Sequence, residues 1–156
     1  MNPSPRAANS AGKTLPNAVA FDLSTARRML PLVRTIVFDI RAGQSSLNRL
    51  NPEQDCLDRN RRALTWAERD RRYQIADEIR KTEKNLTLAA VELDDLGVSI
   101  VDGVAGSVEF PTRINGRSAA FSWQYEEETI NFWHYQGERQ RRPIPVEWNA
   151  QTPVSV

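Results

Sequence analysis

The stretch Ser107-Val-Glu-Phe-Pro-Thr-Arg-Ile-Asn-Gly-Arg-Ser-Ala-Ala-Phe-Ser-Trp-Gln-Tyr125 decides the fold of this chain. Asn115-Gly116 at its centre is a strong hairpin signal, because a type I′ turn needs positive φ at both central residues. The segments 107–114 and 117–125 are rich in the β-branched and aromatic residues that favour strands. The two-residue turn also sets the register, which pairs Ile114 with Arg117, Thr112 with Ala119, Phe110 with Phe121 and Val108 with Trp123. One apolar face is therefore predicted to carry Val108, Phe110, Ile114, Ala119, Phe121, Trp123 and Tyr125.

A second turn, through Glu126-Glu-Glu-Thr129, leads into the apolar segment Ile130-Asn-Phe-Trp-His-Tyr135. Pairing across a loop of two or four residues predicts Phe132 opposite Trp123 and His134 opposite Phe121. His134 would then lie on the apolar face, and Trp133 would lie on the other face in a row with Ser122 and Glu109. Pro111 has no N–H for the ladder and predicts an edge or a bulge.

The composition is that of one soluble globular domain. The chain has 156 residues with a formal net charge of +1, so no global field attracts nucleic acid or an anionic membrane. A single Cys excludes an internal disulfide, and no apolar run approaches the ~20 residues of a membrane helix. We predict a disordered tail at 1–20, one domain at 21–148, a second tail at 149–156, and a cytoplasmic location.

Two amphipathic helices, spanning residues 22–96, precede the strands. The first begins near Asp22 or Ser24, either of which can cap it, and Pro31 is expected to kink its first turns. Its apolar seam consists of Met29, Val33, Ile36, Ile40, Leu47 and Leu50, with Gly43 in the gap, and Asn51-Pro52 is predicted to end it.

The second helix is clearest from Ile75 to Leu96, and Gly97 is a natural stop. Its stripe consists of Ile75, Ile79, Leu86, Ala90 and Leu93. Residues 58–74 are predicted to form either an exposed helical tip or a separate short helix. A short strand at 98–101 follows, and the sheet spans residues 98–137. The predicted class is α+β, an antiparallel, coiled-coil-like helical hairpin packed on a small antiparallel sheet of three to four strands.

The chain resembles a known family, the bacterial domain of unknown function 2203, over roughly residues 21–146. The similarity lies in Phe21-Asp-Leu-Ser-Thr-Ala26, Met29-Leu-Pro-Leu-Val33, Gly97, Gly106-Ser-Val-Glu-Phe-Pro111, Gly116-Arg117, Trp123, Ile130, Trp133-His134 and Arg142-Pro143. The sequence departs from the family pattern at Ser122, where a Cys precedes the Trp, and at Tyr135-Gln136, where an acidic residue commonly follows the His. The loop before the closing Arg is also shorter. The resemblance implies a fold and no activity, because the family is uncharacterised.

His134, the only His, is the candidate acid, base or metal ligand, with Glu109 as a second catalytic candidate. The alternative for His134 is a buried, hydrogen-bonded imidazole beside Phe121. Cys56 is predicted in the distal helix connection, too far away to complete a metal site, so neither a metal nor a cofactor is predicted. Trp133, Arg117 and Arg142 are candidate ligand-binding residues around the same sheet.

Two charged groups also allow a binding interpretation. Arg139, Arg141 and Arg142 could clamp an anion, or could form a solvated loop neutralised by Glu138 and the Glu126–Glu128 turn, which we favour. Asp94 and Asp95 at a helix C-terminus could bind a cation or simply be tolerated there.

Trp66 and Tyr73 are seven residues apart and nearly opposite the core stripe, so both are predicted to face outward, with Arg62 and Arg69 beside them. Aromatic residues with Arg are typical of protein interfaces. The sequence therefore predicts a non-catalytic interaction or scaffold module that self-associates or binds a protein partner. The alternative is a small-ligand-binding protein or weak enzyme around His134. Nucleic acid and membrane are disfavoured as partners.

Overall fold

An antiparallel pair of long helices is followed by a five-stranded antiparallel meander. The structure, a computed structural model, describes residues 20–150. Its elements are α1 (Leu23–Arg59), α2 (Trp66–Asp95), β1 (Ser99–Asp102), β2 (Ser107–Ile114), β3 (Arg117–Gln124), β4 (Phe132–Tyr135), β5 (Arg142–Pro143) and a 3₁₀ helix (Val146–Ala150). The α+β class is confirmed, although the sheet has five strands in the order β1-β2-β3-β4-β5 instead of three to four. Of the tails predicted at 1–20 and 149–156, residues 1–19 and 151–156 lie outside the described residues, and residues 149 and 150 belong to the 3₁₀ helix.

The central hairpin has the register that the turn predicts. Asn115 and Gly116 both have positive φ, at 54° and 73°. Phe110 pairs with Phe121 and Val108 pairs with Trp123. β1 pairs with β2 only as far as Glu109, so beyond this point the free side of β2 is an edge. Pro111 lies on that edge, where its carbonyl accepts the backbone N–H of Phe21 at 2.8 Å.

The register predicted between β3 and β4 is wrong by one residue. His134 pairs with Ala120, and Trp133 pairs with Phe121. Because the side-chain period of a strand is two, this shift exchanges the two faces of β4. Trp133 and Tyr135 therefore belong to the helix-facing core, whereas His134 lies on the opposite face of the sheet, which we call the outer face.

The first helix does not end at Asn51-Pro52, as predicted, but continues through Pro52 to Arg59. Cys56 is consequently an exposed residue of α1 and not part of a connection. Residues 60–65 form the turn, and α2 begins at Trp66, so the separate short helix that was one alternative for 58–74 is wrong. These residues form the largely exposed end of the two helices, which was the other alternative. The seam continues past the proline, because Leu50 and Leu57 pack in one cluster on either side of it. This packing outweighs the cost of one missing backbone hydrogen bond.

Both helices begin with the cap that their sequences contain. The Asp22 carboxylate accepts the backbone N–H of Thr25 at 2.7 Å, and that hydrogen bond lowers the pKa of Asp22. Thr65 and Glu68 form a reciprocal capping box at the start of α2. None of the helices within residues 20–150 combines the length and the apolar character that a membrane crossing requires.

The core is divided along the helices. The main cluster packs the sheet against the first half of α1 and the last turns of α2. A second cluster contains only helical residues, namely Leu50, Ile75 and Ile79 with Leu47 and Leu57. At about 1.5 Å per residue the 37-residue α1 is about 55 Å long, so the distal parts of the helices extend beyond the sheet. We call this two-helix extension, residues 45–85, the arm.

Candidate functional site

The single His and Glu109 meet on the outer face of the sheet. His134 Nε2 lies 2.8 Å from Glu109 Oε1, and His134 Nδ1 lies 2.9 Å from the carbonyl oxygen of Tyr135. The His134 side chain is 11% exposed and that of Glu109 is 32% exposed. The structure thus joins the two catalytic candidates directly, although on the face opposite to the one predicted for His134.

The pair spans β3, because Glu109 is on β2 and His134 is on β4. The two side chains meet across this strand because the residues beneath them, Ala120 and Ser122, are small. The pair lies in a cleft of about 590 Å³, whose other lining residues include Pro111, Arg113, Ser118 and Gln136.

Both ring nitrogens of His134 have hydrogen-bond partners within the protein. Nδ1 faces the carbonyl oxygen of Tyr135, and Nε2 faces Oε1 of Glu109. Neither ring nitrogen is therefore available to a substrate. The group that the pair offers to the cleft is the Glu109 carboxyl.

The remaining chemistry of the cleft is limited. The Thr112 hydroxyl already donates to the Phe21 carbonyl at 2.7 Å. Within residues 20–150 no three His, Cys, Asp or Glu side chains are grouped so that they could hold a metal ion, and Asp94 and Asp95 have no such neighbour. A hydroxyl activated by His134 would need a free ring nitrogen, which the geometry does not supply.

Three ligand-binding candidates lie away from this cleft. Trp133 is buried against the rings of Tyr135 and Trp148, with centroids 4.9 Å and 5.3 Å away. The Arg117 guanidinium lies 3.9 Å from the centre of the Tyr135 ring, and Arg142 lies 5.3 Å from the rings of both Trp133 and Tyr135. The predicted group of five residues is therefore divided between the two faces of the sheet.

Two of the three arginines after β4, Arg141 and Arg142, form ion pairs with glutamates. Arg142 forms an ion pair with Glu138 at 2.7 Å, and this contact lowers the pKa of the Glu138 carboxyl. Arg141 binds the Glu127 carboxylate, donates to Ser122 Oγ at 3.0 Å and stacks on Phe132. Arg139 is exposed and forms no ion pair with the part of the chain that the structure describes. The neutralised loop that the sequence favoured is thus present for Arg141 and Arg142.

The arm carries the largest exposed side chains of the described residues. Trp66 and Tyr73 are each 81% exposed on the face of α2 that points away from α1. The Arg69 guanidinium lies 5.7 Å from the Trp66 ring, and Arg62 is exposed in the preceding turn. Leu88 and Val91, which the sequence analysis did not single out, are also exposed on α2. Their spacing from Tyr73 at helical intervals was the signal that could have identified them.

We expect Glu109→Ala to lower the free energy of unfolding by about 1–3 kcal/mol, because it leaves the buried Nε2 of His134 without its partner. Urea denaturation measures this loss. Glu126→Ala, at an exposed glutamate of the loop between β3 and β4, is the control and should change stability by less than about 0.5 kcal/mol. Equal losses in the two variants would contradict the structural role of the pair.

Comparison with known proteins gives a family and no activity. The model of the family described as an uncharacterized conserved protein, DUF2203, matches residues 20–144. This match confirms the resemblance found in the sequence motifs. No curated protein and no solved structure gives a significant match to the chain.

Proposed function

We propose that this chain, which belongs to the DUF2203 family, is a non-catalytic protein-interaction module whose binding surface is the outward face of α2. The observation that supports this proposal is the 81% exposure of both Trp66 and Tyr73 on one face of the arm. Large aromatic side chains bury 150–250 Å² each when a partner covers them, and they are enriched at interaction hot spots.

The arm holds these side chains on a regular framework. The capping box at Thr65, the residue before Trp66, fixes the start of α2. Arg71 pairs with Glu53 at 2.8 Å and Arg72 pairs with Asp58 at 2.7 Å, so two ion pairs connect this end of α2 to α1. Such exposed pairs add little stability, and they join the two helices near the end of the arm at which Trp66 lies. An ordered surface loses less conformational entropy on binding than a loop does.

The test that identifies a partner is site-specific photocrosslinking in cells. Benzoylphenylalanine at position 73 should give one discrete protein adduct on irradiation, whereas the same probe at position 55, on the exposed side of α1 in the arm, should not. The mass of the adduct distinguishes a second copy of the chain from another protein. Equal labelling at both positions, or none at position 73, would contradict the proposed surface.

Replacing both aromatic residues, Trp66→Ser with Tyr73→Ser, is expected to abolish the adduct at a neighbouring probe position such as 70. Stability should change by less than about 0.5 kcal/mol, because both side chains are exposed and Ser has a helix propensity close to those of Trp and Tyr. Gln74→Ser with Ala76→Ser is the matched control on the same helix and should leave the adduct unchanged. A large loss of stability would instead assign the aromatic pair to the core.

A small-ligand function in the cleft is the second candidate, supported by the 32% exposure of the Glu109 side chain beside His134. The exposed carboxyl would select a ligand with N–H donors, such as an ammonium or guanidinium compound. Such a compound should shift the imidazole signals of the single His in wild type and not in Glu109→Ala. The cytoplasmic location stays a prediction of the sequence.

A further inference from the structure

We infer that the partner of the outward face of α2 is a second copy of this chain, whose α2 packs antiparallel to the first. This inference rests on the proposed function and adds the identity and orientation of the partner. It is carried by the order of side chains along the exposed face of the helix.

The outward face of α2 is a continuous stripe at helical spacing. Its members, in chain order, are Trp66, Asp70, Tyr73, Asp77, Arg80, Lys84, Leu88 and Val91. The first half is aromatic and acidic, whereas the second half is basic and aliphatic. All four apolar members are among the exposed large hydrophobic residues of the described chain. When two such faces lie antiparallel, the acidic half of each one lies against the basic half of the other.

An antiparallel two-fold arrangement brings the two halves of the stripe together. Centring the axis between residues 78 and 79 places Asp77 opposite Arg80 of the second copy, and Trp66 opposite Val91. Each contact occurs twice, because a two-fold interface is self-complementary. A parallel arrangement would instead place Asp77 against Asp77 and Lys84 against Lys84, and such like-charge contacts are strongly unfavourable.

The ion pairs already present within α2 are compatible with a contact between Asp77 and Arg80 of the second copy. Asp77 already pairs within its own helix with Arg80 and, at 2.9 Å, with Lys81. These exposed pairs are weak, so a partner's Arg80 can share the carboxylate at little cost. Because Asp77 has two basic partners in its own helix, one of them can pair with the second copy while the other keeps the internal ion pair.

The other helix of the arm lacks an equivalent surface. The exposed large hydrophobic residues of α1 are Leu32 and Phe38, and both lie in its sheet-proximal half. Pairing through α2 therefore gives two arms side by side as four antiparallel helices, the arrangement of a helical bundle.

The experiment uses two charge reversals in the full-length chain, Asp77→Arg and Arg80→Asp, measured by sedimentation velocity. In the antiparallel register each variant faces like charges in its own homodimer, so each is expected to weaken self-association at least about tenfold. An equimolar mixture restores both opposite-charge contacts and should form heterodimers with an affinity within about threefold of the wild-type homodimer. Misfolding of the variants cannot explain a recovery of association in the mixture, because a misfolded chain would fail to associate there as well.

Three outcomes would overturn the inference. The first is a wild-type chain that stays monomeric at every concentration tested. The second is a variant that still dimerises like wild type, and the third is a mixture that does not recover. If the wild type is monomeric while the probe at position 73 captures a different protein, the second-copy inference fails and the proposed interaction surface stands. If neither association nor an adduct occurs, both fail.

Discussion

Trp123→Ala is expected to lower the free energy of unfolding by about 3–5 kcal/mol, the usual cost of emptying a buried aromatic site. Trp123 is the largest of the fully buried side chains in the described chain. It lies in the row of β3 that faces the helices, opposite Val108 on β2. The Arg34 guanidinium lies 5.2 Å from the centre of its ring, so one side of the indole also contacts a cation from α1.

Trp123→Phe is the control that separates volume from hydrogen bonding. The indole N–H donates to the Glu127 carbonyl at 2.9 Å, and phenylalanine removes this donor. Arg34 also donates to that carbonyl, at 3.0 Å, so the acceptor stays satisfied and the loss should be only about 1–2 kcal/mol. Urea unfolding followed by far-UV circular dichroism measures both variants without relying on the altered tryptophan. Equal losses for Ala and Phe would show that the cavity is not the dominant cost.

The β2–β3 register was predictable because its determinants are local. Asn115-Gly116 admits one turn geometry, and the apolar alternation on both sides agrees with it. The pairing of Phe110 with Phe121 could be inferred from residues 107–125 alone. The same holds for the cap at Asp22 and the stop at Gly97, where a single side chain or a positive φ acts within a few residues.

The β3–β4 register was not predictable, because distant side chains shape its loop. Arg34 donates to the Glu127 and Glu128 carbonyls, and Arg27 donates to the Ile130 carbonyl at 2.9 Å. These contacts span about a hundred residues of sequence and hold seven residues, 125–131, between the two strands. An odd loop length reverses the faces of β4 relative to a loop of two or four residues. Burial among these contacts also lowers the pKa of Arg27.

The one-residue shift between β3 and β4 decides which side chains of β4 lie on the outer face of the sheet. With the predicted register, His134 would be in the core, and Trp133 would be beside Glu109 on the outer face. With the observed register, His134 and Glu109 bind each other, while Trp133 joins the stack around Tyr135. The outward position of Trp66 and Tyr73 needed only the period of the helix, so the exposure of these two side chains was predictable where the cleft was not.

The length of α1 is a second feature that local sequence signals did not predict. Asn51-Pro52 is a reasonable end signal, yet Leu50 and Leu57 both find apolar neighbours, Ile75 and Ile79, on α2. Burial of these side chains outweighs one missing hydrogen bond, and only the position of the second helix reveals it. The longer α1 moves the turn to 60–65 and makes Trp66 the first residue of α2.

Gly106→Ala is expected to be nearly as costly as the loss of Trp123, at about 2–5 kcal/mol. Gly106 has φ +71°, which alone costs an L-residue about 1–2 kcal/mol. A Cβ there would also lie 2.8 Å from Tyr125 Cβ and 3.0 Å from Val37 Cγ1. The Gly106 carbonyl accepts the Tyr125 N–H at 3.1 Å, so the backbone cannot move away without breaking a bond of the sheet. The crowding therefore adds about 1–3 kcal/mol.

Gly116→Ala isolates the backbone part of that cost. Gly116 has a similar φ of +73°, but nothing lies within 4 Å of the position its Cβ would take. Urea unfolding of the two variants should therefore show the Gly106 change to be the more destabilising by the cost of crowding alone. Equal losses would mean that Val37 and Tyr125 yield without cost, and that the sheet and α1 are less tightly packed at this corner than their burial indicates. A clear difference would show that the β1–β2 turn is closely packed against Val37 of α1 and against Tyr125 after β3.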